Sequence, residues 1–293
     1  MQWIQLIILS SRHNSQEIEA ALVALNALSV TIQDAADQPI LEPAVGETPL
    51  WDQCIVTALF STTVDTKKVN AQFNATTSSS PQMRWEQLED KDWSQEWKKH
   101  FNPLKCGDRL WICPSWIAPP DPQGVNLSLD PGLAFGTGSH PTTHLCLRWL
   151  DKQDLNGKTV IDYGCGSGIL GIAALLLGAK QVIAVDNDPQ ALLASRDNAQ
   201  RNNITDDRLV TYLPDEVPKD LCAEVMVANI LAAPLIELAP KLSAMTETNG
   251  LLCLAGLLDR QIEAVSAPYS GHFKFSAPAI QSEWAQLSAQ KLT

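Results

Sequence analysis

The residues best placed to do chemistry begin at Val160-Ile161-Asp162-Tyr163-Gly164-Cys165-Gly166-Ser167-Gly168. An apolar strand runs into three alternate glycines and then into an apolar helix. Glycine has no Cβ, so such a loop turns tightly and lets the backbone come close to a ligand. In an open parallel sheet the loop lies at the carboxyl end of a strand, where ligands bind. The next strand closes in Val185-Asp186, with Asp186 20 residues after Gly166. A carboxylate there is placed to accept hydrogen bonds from two ribose hydroxyls. Two ligand classes share these features. Gly166-Ser167-Gly168-Ile169-Leu170-Gly171 matches the GxGxxG of a dinucleotide site, but it starts two residues late, inside the turn. That register is wrong for a pyrophosphate at the helix N-terminus, and Asp162 would repel one. S-adenosyl-L-methionine has ribose and adenine without phosphate, and its cationic methionyl part suits Asp162. The Asp162, GxGxG and Asp186 set therefore favours that cofactor. The alternatives are a dinucleotide and a tight turn with no ligand.

The fourth strand, Val225 to Leu231, carries an amide at Asn229, 65 residues after Gly164. This fold brings such a group up to a transferring methyl. Methyl transfer is an in-line displacement at carbon, and an amine acceptor must arrive neutral with its lone pair aimed. The Asn229 carbonyl can accept one N–H and fix that aim; the plainer reading is an Asn capping the turn after a strand. A second glycine-rich element, Leu129 to His144, precedes the sheet and can fold over the cofactor, with Phe135 packing on the ligand and Thr143 bonding its amino-acid end. His140 and His144 stand four apart on an expected helix. Without an intervening Glu or a third ligand they do not read as a metal site. No Cys–His or Ser–His–Asp set suggests a covalent route.

These residues need a scaffold, and the chain after residue 155 supplies the pattern of one. Strands are expected at Thr159 to Tyr163, Gln181 to Asp186, Arg208 to Tyr212, Ala223 to Asn229 and Gly250 to Ala255. Helices fit Gly168 to Gly178, Pro189 to Asn202, Ala233 to Ser243 and Arg260 to Ser266. The alternation predicts a doubly wound, mostly parallel sheet, with two further strands from Gly271 to Ser288 forming an antiparallel edge. Upstream, strands at Trp3 to Leu9, Ser29 to Gln33, Cys54 to Ser61 and Gln82 to Leu88 enclose two helices. One starts at a capping-box-like Asn14/Glu17 and carries Ile18, Leu22, Leu25 and Leu28; the other carries Val69 and Phe73. The order β-α-β-β-α-β is that of a ferredoxin-like sandwich. Residues 1–88 thus form one unit and 126–293 the other. Between them, 89–125 hold a linking helix with Trp93 and Trp97 and an irregular, proline-punctuated connection.

The 293 residues are 45% apolar and 18% charged, which excludes a largely disordered chain. With 21 Lys and Arg against 33 Asp and Glu the formal charge is −12. Nucleic-acid affinity draws on clustered cations, so direct nucleic-acid binding is not expected and a basic partner is. Residues 1–80 carry three basic and eight acidic side chains, a net of −5. The longest apolar run, Ile169 to Ala179, falls far short of the about 20 residues of a spanning helix. The N-terminal stretch lacks the basic start of a signal peptide. Seven scattered cysteines, never CxxC, fit a reducing compartment, so a cytoplasmic location is expected; the chain is expected to act as a monomer.

The segments DPGLAFGTGSHPTTHLCL, VIDYGCGSGILGIAAL, VDNDPQALLASRDNAQRN and VANILAAPL, in this order, resemble the bacterial methyltransferases of large-subunit ribosomal protein L11, the PrmA family. GTG-x-HPTT is specific to that family; the Asp162/GxGxG part belongs to class I methyltransferases generally. The resemblance implies a seven-stranded class I methyltransferase sheet beside a small N-terminal domain that recognises the substrate. It implies methylation of lysine ε-amines and of the N-terminal α-amine of that ribosomal protein. It also implies cofactor contacts at Thr143, Gly164, Asp186 and Asn229, to which the loop geometry adds Gly166. Asn229 stands where glutamine- and adenine-directed relatives carry Asn-Pro-Pro-Tyr. Here Ile230-Leu231-Ala232 follow it, without the aromatic clamp for a flat acceptor. A dehydrogenase, a binding module with a vestigial cofactor fold, and transfer to RNA are the competing readings.

Overall fold

A computed structural model describes residues 3–38, 40, 47–77, 81–88, 101–130 and 138–293. The chain divides into two compact units, Met1–Lys98 and Lys99–Thr293. The expected linking helix with Trp93 and Trp97 lies outside the described residues, as does Phe135.

The first unit runs β1 (Trp3–Ser11), α1 (Arg12–Ala24), β2 (Ser29–Asp34), β3 (Gln53–Ser61), α2 (Thr66–Thr76) and β4 (Met83–Leu88). Its sheet has the order β2-β3-β1-β4, antiparallel throughout, which is the ferredoxin-like arrangement. Alternation sends Leu6, Ile8, Val56, Ala58 and Phe60 to one face, where Ile18 and Leu22 of α1 and Val69 and Phe73 of α2 complete the core. Helix α1 starts at Arg12 rather than at Asn14. The strand runs straight into it, with Ser11 as N-cap, and the Arg12 N–H donates to the Asp52 carbonyl at 3.1 Å. Leu28 follows a left-handed turn at Asn26 and is exposed instead of extending the helical stripe.

In the second unit the stretch expected to be irregular holds a small sheet. β5 (Leu104–Lys105) pairs antiparallel with β6 (Leu110–Cys113), which pairs parallel with β7 (Val125–Ser128). Leu110, Ile112 and Leu127 are buried. Strands of two to four residues are too short for a period to show, and the prolines that suggested disorder of the pattern lie in the β6–β7 connection.

The main sheet contains β8 (Thr159–Tyr163), β9 (Gln181–Val185), β10 (Leu209–Tyr212), β11 (Ala223–Asn229), β12 (Thr246–Leu258), β13 (Phe273–Phe275), β14 (Ala279–Gln281) and β15 (Trp284–Lys291). Its order is β10-β9-β8-β11-β12-β15-β13, with β14 also on β15. The first five strands are parallel and β15 is antiparallel. The sheet has the expected seven positions but eight strands. β13 and β14 share the free edge of β15, because Pro278 between them has no N–H to offer a ladder. β8 pairs with β9 on one side and β11 on the other, so the strand order reverses there, and in sheets of this kind ligands bind beyond the carboxyl ends of the strands at that point.

Helices α3 (Pro141–Asp151), α4 (Ile169–Leu176), α5 (Pro189–Arg201), α6 (Ala232–Glu237), α7 (Ala239–Ala244) and α8 (Ile262–Ser266) cover both faces. Val160, Val225 and Val227 face one apolar layer with Leu147 and Ile172. Ile161, Met226 and Ala228 face the other, with Leu235 and Leu242. The single helix expected over 233–243 is two. Pro240 cannot donate back to Ile236, and the chain resets at Leu238. Among the described residues no helix is long and apolar enough to cross a membrane.

Candidate active site

At the carboxyl end of β8 the chain turns through Gly164, Gly166 and Gly168, with φ of 79°, 53° and 78°. This left-handed region is one that side chains resist. The Gly164 N–H donates to the Val185 carbonyl at 2.7 Å, which ties the loop to the end of β9. The next residue, Asp186, accepts the Gly166 N–H on Oδ2 at 2.9 Å and the Asp188 N–H on Oδ1 at 3.0 Å. A half-buried carboxylate fixed by two amides is held in one orientation, with lone pairs remaining for a ligand.

Across the switch point, Asn229 ends β11. Its Nδ2 donates to Thr143 Oγ1, 3.2 Å away on the first turn of α3, and Thr143 is fully buried. Asn229 Oδ1 is buried and has no partner among the described residues. Neither side-chain atom caps the following turn, so the capping reading does not hold. A buried acceptor without a donor is costly, and its place at the crest of the sheet points to a donor from a bound molecule. Thr143, Gly164, Gly166, Asp186 and Asn229 are thus brought to the ends of three adjacent strands.

Asp162, 1% exposed, accepts the Gly171 N–H on Oδ2 at 2.9 Å, while Oδ1 has no partner among the described residues. Burial pushes its carboxyl up to about 7, opposed by the Gly171 hydrogen bond and reinforced by the charge of Asp186. The folded chain therefore holds a proton that the unfolded chain releases near 3.8. Stability falls as pH rises from there toward about 7 and then levels. Asp162→Asn keeps an oxygen for Gly171 and carries no charge, so its melting temperature should gain on the wild type across that interval. Cofactor-free thermal scans in which the difference stays flat would contradict this.

His140 and His144 do not share a helix face. His140 caps α3, with Nδ1 2.7 Å from Thr142 Oγ1, and its ring meets Trp284 edge-on at 4.9 Å between centroids. His144 instead lies 3.1 Å from Gln281 Oε1 and 3.2 Å from the Lys105 carbonyl.

Several supporting residues were not anticipated. Ile230 lies between two glycines: a Cβ on Gly164 would overlap its Cγ2 methyl, and one on Gly256 (φ 89°) would overlap its carbonyl oxygen. Gly256 also sits at a register shift between β12 and β15. An isolated glycine in a strand signals such a close approach, but the strand was expected to stop one residue short of it. On α5, Ser195 donates to the Gly166 carbonyl at 3.0 Å and Asn198 to the Ser167 carbonyl at 2.9 Å, pinning the glycine loop. Asn202 bonds both the N–H and the carbonyl of Ser128 at 2.8 Å, holding β7 beside the helix. The sequence signal of Ser195 and Asn198 is that they are polar residues on the apolar stripe of α5, among Ala191, Leu192 and Ala199.

The sheet order, the glycine loop with the acid that follows β9, and the orphaned acceptor of Asn229 fit a class I, S-adenosyl-L-methionine-dependent methyltransferase. The sequence profile described as "Ribosomal protein L11 methyltransferase (PrmA)" matches residues 2–292, and the chain belongs to that family. Relatives named ribosomal protein L11 methyltransferase include one from Cellvibrio japonicus, 54% identical over 292 residues and 99% of each chain. Another, from Hahella chejuensis, is 50% identical over 100% of this chain and 99% of its own. The crystal structure of the ribosomal protein L11 methylase from Lactobacillus delbrueckii subsp. bulgaricus superposes with a TM-score of 0.60 at 32% identity, covering 66% of this chain and 100% of that one. Membership selects the sulfonium cofactor over the dinucleotide, and the dehydrogenase reading falls away.

Proposed function

We propose that the chain transfers methyl groups from S-adenosyl-L-methionine to lysine ε-amines and the N-terminal α-amine of ribosomal protein L11. The observation that carries this reading is the buried, unpaired Asn229 Oδ1 beside Thr143. When bound, the cofactor supplies an electrophilic methyl on a sulfonium, which leaves as a neutral thioether. Asp186 would hold the ribose hydroxyls, Gly164 and Gly166 would let the backbone approach, and Thr143 would bind the amino-acid end. Near the cationic methionyl part, the Asp162 carboxyl would be favourable through the backbone of the loop. Asn229 Oδ1 accepts an N–H of the incoming neutral amine and aims its lone pair, so catalysis rests on positioning and exclusion of water.

The acidic N-terminal unit suits recognition of a basic ribosomal protein, while the unit Lys99–Thr293, which contains β5–β7 and the large sheet, would carry the chemistry. The same charge argues against direct nucleic-acid binding. A cytoplasmic location fits the scattered, free cysteines. Mass spectrometry of ribosomal proteins from cells with and without the chain tests the acceptor. Whole-methyl increments on L11 that vanish with the gene support it; identical masses overturn it.

Asp186→Ala should raise the dissociation constant for S-adenosylhomocysteine by about tenfold or more, since hydrogen bonds to a charged group are lost. Calorimetry showing unchanged binding would count against the assignment.

A further inference from the structure

Gly256 lies inside β12 and departs there from ordinary strand geometry in two ways. Its φ is 89°, a left-handed value that side chains resist. It is also the extra residue of a bulge. Ala255 pairs with Gln286 and Leu257 with Ala285, which leaves no residue of β15 opposite Gly256. A bulge bends its strand and re-aims what lies beside it.

What lies beside this one is the end of β11. Asn229 pairs with Ala255, and the next residue, Ile230, lies against Gly256. A Cβ at position 256 would overlap the Ile230 carbonyl oxygen, and would lie 2.7 Å from its carbonyl carbon and 3.0 Å from its nitrogen. These are backbone atoms, so no change of rotamer relieves the overlap. Carbon atoms settle at about 3.5 Å or more, so a side chain at 256 pushes this backbone away by about 1 Å. The Ile230 nitrogen is bonded to the Asn229 carbonyl carbon, and the shift passes to Asn229. Its Nδ2 bond to Thr143 Oγ1, at 3.2 Å, is already at the long end of the normal range and has no slack for such a move.

We propose that Gly256 is a positioning residue for the transfer: by admitting the Ile230 backbone it keeps the Asn229 amide in register with Thr143. This rests on the methyltransfer reading above and deepens it. Gly256 acts through the Ile230 peptide unit and not on the acceptor or the cofactor, so its effect should appear in turnover and pass through Asn229 alone.

The test sets Gly256→Ala beside Gly157→Ala. Gly157 has φ 72° and open space where a Cβ would go, so its alanine brings the strain without the overlap. Both variants should lower the melting temperature. Only Gly256→Ala should lower kcat for ribosomal protein L11, by about 100-fold, the cost of misplacing a positioned group by about 1 Å. Its S-adenosylhomocysteine affinity should stay within about threefold of wild type. In the Asn229→Ala background, Gly256→Ala should change kcat by less than about twofold further, because the group it positions is gone; a merely structural role would cut kcat again. Gly256→Asn carries the same Cβ with less strain, since Asn accepts left-handed backbone, and should show the same loss of kcat even where the alanine variant does not fold. A kcat within about threefold of wild type in either folded variant, an equal loss of cofactor affinity, or a further fall in the Asn229→Ala background overturns the proposal and leaves the methyltransfer reading intact. Failure of both variants to fold makes the glycine a folding requirement and overturns it as well. Failure of the wild type to methylate the protein overturns both readings.

Discussion

Asn229→Ala should lower kcat about 100-fold, the cost of removing one hydrogen bond aimed at the reacting group. The alanine removes Oδ1, the buried side-chain acceptor at the end of β11, and frees Thr143 Oγ1 from its bond to Nδ2. Binding of S-adenosylhomocysteine should weaken far less than kcat falls, because the ribose and loop contacts proposed for Asp186, Gly164 and Gly166 would remain. Asn229→Asp keeps an oxygen but brings a carboxylate, which holds the amine protonated and unreactive; its pH–rate profile should shift to higher pH than that of the wild type. Single-turnover kinetics with calorimetry separates the two effects. A kcat within about threefold of wild type in Asn229→Ala would remove Asn229 from the mechanism.

Gly164→Ala should be strongly damaging, because it adds a methyl where the backbone is left-handed and a neighbouring side chain is already close. The position has φ 79°, and the added Cβ would overlap the Ile230 Cγ2 methyl. Left-handed strain costs about 1–2 kcal/mol and overpacking about 1–3 kcal/mol more. We expect a fall in melting temperature of several degrees and a loss of cofactor affinity beyond tenfold, because Gly164 heads the loop that carries Gly166. Ile230→Ala removes the obstructing methyl. The double variant should therefore recover the overpacking part but not the strain, a non-additivity that a double-mutant cycle measures. Strict additivity would mean that the Ile230 contact is not what requires glycine here.

How much of this was legible depended on the range of the interaction. The strands of the main sheet are apolar runs bounded by turn residues, and period and punctuation located them. The glycine loop and Asp186 were readable because their spacing is set by one strand–turn–helix–strand unit. The Asn229–Thr143 bond spans 86 positions and appears only in the folded sheet. The same holds for Asn202 and Ser128, separated by 74: nothing local in Asn202 announces that its amide serves a strand far upstream. Local competition explains the other differences. Helix α1 begins two residues before Asn14 because the Asp52 carbonyl receives its first amide, and Pro240 divides what periodicity alone would continue.

The divided outer border of the large sheet has a consequence of its own. An uninterrupted strand in that position would present a long row of amides and carbonyls to any neighbouring chain, the usual template for accretion. Phe273–Phe275 and Ala279–Gln281, with a proline between them, present only two short rungs. The last strands of the polypeptide thereby close the sheet at that side and leave little for a stray β-segment to extend.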